Sequence, residues 1–483
     1  IRPARNDMAQ ADYRHQPIQA TKPAGKTESR AWMRTAWFRL LAVLLIVELI
    51  WPFLLWKAGL PQRLDFVTDV IAGAIVGLTM AYMLLKNRMP GAMLVIIAIT
   101  VIWALVGAFE GQAASVTLWG WWRLFKYPLL ALFIYLISRW PNDSARLIFK
   151  FLVVTLVFQV LVQFAQYATG EPPGDSLAGT FGHKGVGAYS VFVFFVVCVG
   201  LGHWLATGRW KYLGLILILG LVAMMLSVTK FYVFATAVLL IFALVLHLVR
   251  GGQFRYLFLY VALAVLAGAI FVPVYNSFIA TTRGLKPLQE YMTRDAIESY
   301  LFREEESAQE GLYKLGRGGA IVYAWQQIQR DVTTTLFGYG MGSRSYSTAL
   351  GIAGATLEDD LYGGGGSTSL GVWIQEYGVL GMAIFLAINF WIMAKLFRLA
   401  RRTSDPYEAT LAYGLIIFTF FWPIWLWYQK TWLYGMVMIC YWATLGFLFQ
   451  SIYPRLRRRS RRPRPSWVED ESVPAFFRPR PRR

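Results

Sequence analysis

Runs of about 18 or more apolar residues with few charges recur along this chain, and a run of that length reads as a membrane-spanning helix. In lipid an isolated backbone must satisfy its own N–H and C=O groups, which a helix does within one segment. The runs fall near 36–56, 67–85, 91–109, 121–138, 146–169, 186–206, 212–228, 231–249, 256–280, 368–394, 409–427 and 431–452. The expected fold is therefore an all-α polytopic membrane protein with about twelve transmembrane helices.

Composition agrees. Hydrophobic residues make up 57% of the chain and charged residues 15%, against roughly 25% charged in a soluble domain. A length of 483 residues then fits one large helical membrane domain better than several soluble ones. The formal charge of +20 would suit nucleic-acid binding if it were clustered on a folded face. Instead Lys and Arg gather in the two tails and in short loops between apolar runs, which is a topological signal. The two cysteines, Cys198 and Cys440, sit inside apolar runs and read as small hydrophobes, with no disulfide framework or metal site implied. The first forty residues are polar and basic with no short apolar core before a small-residue cleavage site, which argues against a cleaved secretory signal.

The even-numbered loops are the basic ones. They carry Lys86 and Arg88, Arg139 and Arg146, Arg209 and Lys211, Arg250 and Arg255, then Lys395, Arg398, Arg401 and Arg402. Lys57 and Arg63, in the first loop, are a mild exception. The positive-inside pattern puts both tails in the cytoplasm and the odd loops outside. The resulting organisation is a basic tail at 1–35, a transmembrane domain at 36–452 and an Arg/Pro-rich tail at 453–483, expected to be disordered. The tail's arginines also suit anionic lipid headgroups. Between helices nine and ten lies one large outward loop, 281–367, with helix-like stretches at Pro287–Glu310 and Gly319–Arg330. A connection of that length is expected to be functional, here as a folded cap.

Four patches fall on the outward side. The first, 178–187, reads Ala-Gly-Thr-Phe-Gly-His-Lys-Gly-Val-Gly; its glycines allow close backbone approach, and His183 and Lys184 supply donors. A tight turn is the plain alternative. His183 also titrates near neutrality. The second, 227–232, places Lys230 in a long apolar stretch, where it either snorkels or meets an anion. The third, 338–345, alternates glycines before Arg344 and follows Arg317 and Trp325. Successive N–H groups there could form an anion nest, and Arg adds a fork suited to phosphate; a flexible linker is the alternative. The fourth joins Glu358, Asp359 and Asp360 to Gly363–Gly366, Ser367-Thr368-Ser369 and Glu376. These acids could hold a divalent cation or act as a general base, or simply be a solvated loop with a helix cap. Arg123 and Lys126 are further candidates for phosphate contact, with interfacial snorkelling as their alternative.

Taken in order, Gly179–Gly182, Thr229-Lys230, Trp325 with Gly338-x-Gly340, and Glu376-x-Gly378-x-x-Gly381 resemble the motif series of the O-antigen ligase/polymerase superfamily. The match covers about 178–385. It implies metal-independent, cofactor-free, inverting transfer of a glycan from a polyprenyl diphosphate carrier at the outer face of a bacterial inner membrane. The acceptor is another lipid-linked repeat in polymerases or lipid A-core in ligases. Envelope-synthesis partners, such as a chain-length regulator, would accompany it. Lys184, Lys230, Arg317 and Arg344 then suit the diphosphate contacts that the resemblance implies, with Arg123 added as a candidate by its placement alone. The chain departs from the family twice. Ligase-type members carry a His at the position of Ser367, and the family's Ser-Arg pair is Thr229-Lys230 here, which keeps the charge but loses the bidentate fork. The base for the acceptor hydroxyl must then come from among Glu358, Asp359, Asp360, Glu376 and His183. A transferase to another acceptor, or a transporter or flippase with a dozen helices, are the competing readings.

Overall fold

A computed structural model describes residues 36–61, 64, 66–86, 89–136, 140, 143–182, 185–229, 231–249, 256–280, 287–302, 304–306, 313–347, 351–354 and 368–453. The two basic tails lie outside these residues. So do His183, Lys184, Lys230, Glu358, Asp359, Asp360 and Ser367.

Helices form on all the apolar runs. In chain order they are α1 (Ala36–Lys57), α2 (Val67–Leu85), α3 (Gly91–Phe109), α4 (Ala114–Leu136), α5 (Ser144–Ala168), α6 (Val186–Thr207), α7 (Trp210–Leu226), α8 (Phe231–Val249) and α9 (Tyr256–Val274). The loop region contributes α10 (Arg294–Phe302), α11 (Arg317–Ile328) and α12 (Val332–Phe337). The chain then continues through α13 (Ser369–Arg402), α14 (Pro406–Phe420), α15 (Trp422–Tyr428) and α16 (Gly435–Ile452). Among the described residues, seven helices are long and apolar enough to cross a membrane: α1, α2, α3, α5, α6, α13 and α16. The pair α14 and α15, bent by 50° at its junction, would make an eighth. The fold is that of a predominantly helical membrane protein.

Burial sorts these helices into core and periphery. Helix α6 is buried around nearly its whole circumference, from Tyr189 to Leu205, and α14 is buried from Ala409 to Phe418. A helix that is apolar all round belongs inside. The two pack closely because each offers a glycine at the crossing. A Cβ on Gly202 would sit 2.3 Å from the Thr410 carbonyl oxygen, and one on Gly414 would sit 2.7 Å from the Val199 Cα. Small residues at such crossings let backbones approach where lipid gives no hydrophobic drive for association. Helix α3 shows the peripheral pattern. It buries Met93, Ile96, Trp103 and Gly107 along one stripe and leaves Leu94, Val95, Val101 and Leu105 exposed. So much exposed aliphatic surface is expected where the surrounding medium is hydrocarbon. Cys198 and Cys440 are buried free thiols.

Two expected spans turn out to be interrupted. Helix α13 contains a non-helical residue, Gly378, at φ 60° and ψ −165°. The 24 residues after the break are about 36 Å long, enough to cross a bilayer core without the nine residues before it. The run at 409–427 is likewise divided, with α14 ending at Phe420 and α15 starting at Trp422; Pro423, near the start of α15, has no N–H for a continuing ladder.

The region expected to form a cap is partly built of strands. The helix expected across Pro287–Glu310 stops at Phe302, and Glu304–Glu306 (β1) pairs antiparallel with Tyr313–Leu315 (β2). The second expected helix appears as α11. A further pair, Tyr346–Ser347 (β3) with Ile352–Ala353 (β4), follows the glycine loop.

Candidate functional site

The Gly-Thr-Phe segment is held by a ladder of glutamines on α5. Gln159, Gln163 and Gln166 lie on one face of that helix, and all three are buried. Gln159 forms a reciprocal pair with Thr180, donating Nε2 to its Oγ1 at 2.6 Å and accepting its N–H at 2.8 Å. Gln166 does the same with the backbone of Gly179, at 2.7 and 3.1 Å. Gln163 donates to the Leu177 carbonyl at 2.7 Å and accepts the Tyr189 hydroxyl at 2.9 Å. Gly179 has φ +60°, and a Cβ there would strike Gln159 Oε1. This turn is thus clamped from one side by amides that satisfy its polar groups inside an apolar bundle.

The glycine loop 338–345 threads between helices rather than opening a nest. Gly338, Gly340 and Gly342 all have positive φ, at 71°, 91° and 87°. Added Cβ atoms would lie 2.4 Å from the Gln375 carbonyl, 2.5 Å from Gly107 Cα and 2.3 Å from the Val116 carbonyl respectively. Its amides are already engaged. Tyr339 N–H donates to the Gln375 carbonyl (2.8 Å), Gly340 N–H to the Glu376 carbonyl (3.2 Å), and Arg344 N–H to Glu376 Oε1 (3.1 Å). Trp103 Nε1 and Gln112 Nε2 bind the Phe337 and Met341 carbonyls at 2.8 and 2.6 Å. The expected anion nest is therefore corrected. These N–H groups are spent on internal acceptors, and the loop's work is to carry Arg344 to α13.

Where α13 meets that loop, a cavity of about 270 Å³ opens. Asp69 reaches it from the first turn of α2, Arg123 and Lys126 from α4, Arg344 from the loop, Glu376 from the short segment of α13 and Lys430 from the turn after α15. Trp119, Trp373 and Trp432 supply its aromatic wall. Glu376 is buried, and its Oε1 also accepts Ser345 Oγ at 3.0 Å. Asp69 Oδ1 accepts both Lys126 Nζ and Trp122 Nε1, each at 2.8 Å. Trp432 Nε1 donates to the Arg123 carbonyl at 2.9 Å, tying the turn before α16 to α4. Burial, with the Arg123 charge beside it, pushes the Lys430 ammonium below the ordinary lysine range.

Of the residues singled out in the sequence, Arg123, Arg344 and Glu376 meet here. Lys126 joins them, paired with Asp69 rather than snorkelling. Arg317 does not. It sits at the start of α11, with Nε donating to the Tyr428 carbonyl at 2.6 Å, its guanidinium 4.3 Å from the Tyr428 ring centroid, and a further hydrogen bond to the Tyr300 hydroxyl. Its geometry is that of a clamp joining α10, α11 and α15. Asp69, Lys430 and the three tryptophans were not singled out. A lone charge at the mouth of an apolar run looks like interfacial snorkelling in sequence, and the aromatics look like an interfacial belt. Their common cavity is created by packing. Among the described residues, no group of three or more His, Cys, Asp or Glu side chains comes together as a metal site.

The cavity can neutralise an anion of about two charges, since four cations face two carboxylates across it. It can stack a planar or sugar ring on indole, and it holds one buried carboxylate within the same space. No protein-family model matches the chain, and no curated protein matches it.

Proposed function

We propose that this chain is a membrane glycan polymerase, as its resemblance to the O-antigen ligase/polymerase superfamily implies. It would transfer oligosaccharide from a polyprenyl diphosphate-linked donor to a lipid-linked acceptor. The topology that goes with this reading is about twelve spans in a bacterial inner membrane, with both termini cytoplasmic and the loop between the ninth and tenth spans outside. The observation that carries it is the meeting of Arg123, Arg344 and Glu376, from sequence-distant elements, with three tryptophans in one cavity. Every contributing segment lies toward a helix end or turn that the loop charges assign to the outer face, apart from Arg123 and Lys126 deeper in α4. At about 270 Å³, against roughly 300–1,000 Å³ for a typical ligand pocket, the space suits a diphosphate and its adjoining sugar rather than a whole repeat.

In the reaction an acceptor hydroxyl attacks the anomeric carbon of the donor sugar from the face opposite the diphosphate. The carbon–oxygen bond to phosphate breaks with inversion. Of the two carboxylates that line the cavity, Asp69 is engaged by Lys126 and Trp122, which supports Glu376 as the group that takes the hydroxyl proton. Arg123, Arg344 and Lys430 neutralise the leaving diphosphate, so preorganised charge supplies most of the acceleration. The glycine loop holds Arg344 and Glu376 together through the Arg344 N–H and Ser345 hydroxyl donated to Glu376.

The direct test is reconstitution: purified protein in vesicles, an undecaprenyl diphosphate-linked oligosaccharide from its own host, and products separated by size. A ladder of lengths with wild type, absent with Arg344→Ala at equal protein level, is the expected result. Wild-type polymer from Arg344→Ala would remove the site assignment. A second reading has one observation in its favour. The break at Gly378 and the 50° bend between α14 and α15 resemble the discontinuous helices of transporters. Movement of the lipid-linked sugar between leaflets without lengthening would select that reading.

A further inference from the structure

The pair formed by Asp69 and Lys126 stands at the cavity wall and has a feature that a purely structural ion pair lacks. Ionisable residues in spanning segments are scarce and usually functional, and a sealed ion pair adds little stability over an apolar pair of similar volume. This pair is not sealed. The two side chains retain 15% and 16% of their exposure, and both line the cavity. Lys126 and Asp69 are joined at 2.8 Å, yet Asp69 Oδ1 has a second donor, Trp122 Nε1, also at 2.8 Å. If Lys126 swings away, the carboxylate is still hydrogen-bonded. Lys126 is the mobile member by chemistry as well, being a point charge on a flexible four-carbon stem. Nearby, Arg123, Arg344 and Lys430 already set a positive field.

We propose that Lys126 is an exchangeable anion ligand, held in reserve by Asp69 and transferred to a phosphate oxygen when a diphosphate enters the cavity. Asp69 is then a positioning residue. It keeps the ammonium at the wall, lowers the net charge of the empty cavity and is itself retained by Trp122 after the exchange. The class of ligand is a diphosphate, whether a lipid-linked diester or free pyrophosphate. The inference shares the cavity with the proposed transfer reaction but concerns binding alone.

The experiment is titration of purified detergent-solubilised protein with inorganic pyrophosphate, followed by calorimetry, alongside its melting temperature. Wild type should bind. Asp69→Asn, which removes the carboxylate hydrogen-bonded to Lys126, keeps an acceptor for Trp122 and leaves Glu48 as the other acid beside it, should bind a few-fold more tightly. The double variant Asp69→Asn/Lys126→Met should melt near wild type and bind about tenfold more weakly, the loss expected for one charge-assisted contact. No wild-type binding, unchanged affinity in the double variant, or weaker binding in Asp69→Asn with an unchanged melting temperature would each overturn the exchange. Because this readout needs no acceptor and no glycan, a chain that binds pyrophosphate in this pattern yet makes no polymer would sink the polymerase reading and leave this one intact. If the double variant fails to fold, Asp69→Asn alone decides by the sign of its change.

Discussion

Glu376 Oε1 accepts the backbone N–H of Arg344 at 3.1 Å, so the carboxylate on the broken helix and the guanidinium on the glycine loop are placed by each other. One residue acts through its side chain and the other through its main chain, and Arg344 lines the cavity. Glu376→Gln keeps an oxygen for that N–H and for Ser345, and removes the carboxylate proposed as the base. Its melting temperature should stay near wild type while glycan transfer is lost. Glu376→Ala strands both donors in a buried place and should cost about 1–3 kcal/mol for each. Thermal unfolding of the two variants beside a transfer assay separates them, and an active Gln variant would move the base elsewhere.

Gly340 tests whether the loop must touch α3. Alanine there has to adopt φ +91° with its Cβ 2.5 Å from Gly107 Cα, so a destabilisation of about 3 kcal/mol or more is expected. Gly59 has φ +62° but open space around it. Gly59→Ala should therefore cost only the left-handed backbone penalty of about 1–2 kcal/mol. Comparable losses from the two, measured by unfolding in detergent, would mean that the loop seat contributes nothing beyond conformation.

Lys430 gives the site a pH signature. Its ammonium is pushed down by burial and by Arg123, and an anion is held by the protonated form. Affinity for pyrophosphate should accordingly decline as pH rises through a value below the ordinary lysine range of about 10.4. Lys430→Arg keeps the charge at all accessible pH and should carry the decline upward. Superimposable pH profiles for the two proteins would remove Lys430 from the binding site.

The glutamine ladder should prove a stability element for the Gly-Thr-Phe turn. Gln159→Leu leaves the Thr180 N–H and hydroxyl facing an apolar side chain, at a cost of about 1–3 kcal/mol. Hydrogen exchange at Thr180 should accelerate markedly. Unchanged exchange there would show that the turn is held by its glycines alone.

How much of this was legible beforehand follows from the kind of signal each feature leaves. Spanning helices are a matter of run length, and helices α2, α3 and α8 begin and end where the apolar runs do. The interruptions at Gly378 and between Phe420 and Trp422 occur inside runs that are still apolar, so hydropathy passes over them. Arg344 and Glu376 could be singled out because glycine motifs flank them. Asp69 and Lys430 could not, since one charge at the end of an apolar run carries no mark of what faces it. Arg317, given a phosphate role through the resemblance, lies outside this cavity, with its guanidinium on Tyr300 and Tyr428. The alternating glycines suggested exposed amides, but positive φ serves equally for pressing a loop against helix backbones, which is what Gly338, Gly340 and Gly342 do.

The break at Gly378 makes α13 two bodies joined at a knuckle. The longer body is anchored by Asn389, Ile392, Leu396 and Leu399, all buried. The shorter one carries Trp373 and Glu376 and is stitched to the glycine loop through the N–H groups of Tyr339 and Gly340. Asp69, Arg123 and Lys126 face it from α2 and α4. The cavity is thus built like a jaw whose mandibles are both seated on the bundle, since the glycine loop that holds the shorter body presses on the backbones of Gly107 and Val116, so its gape is set by how α3 and α4 pack.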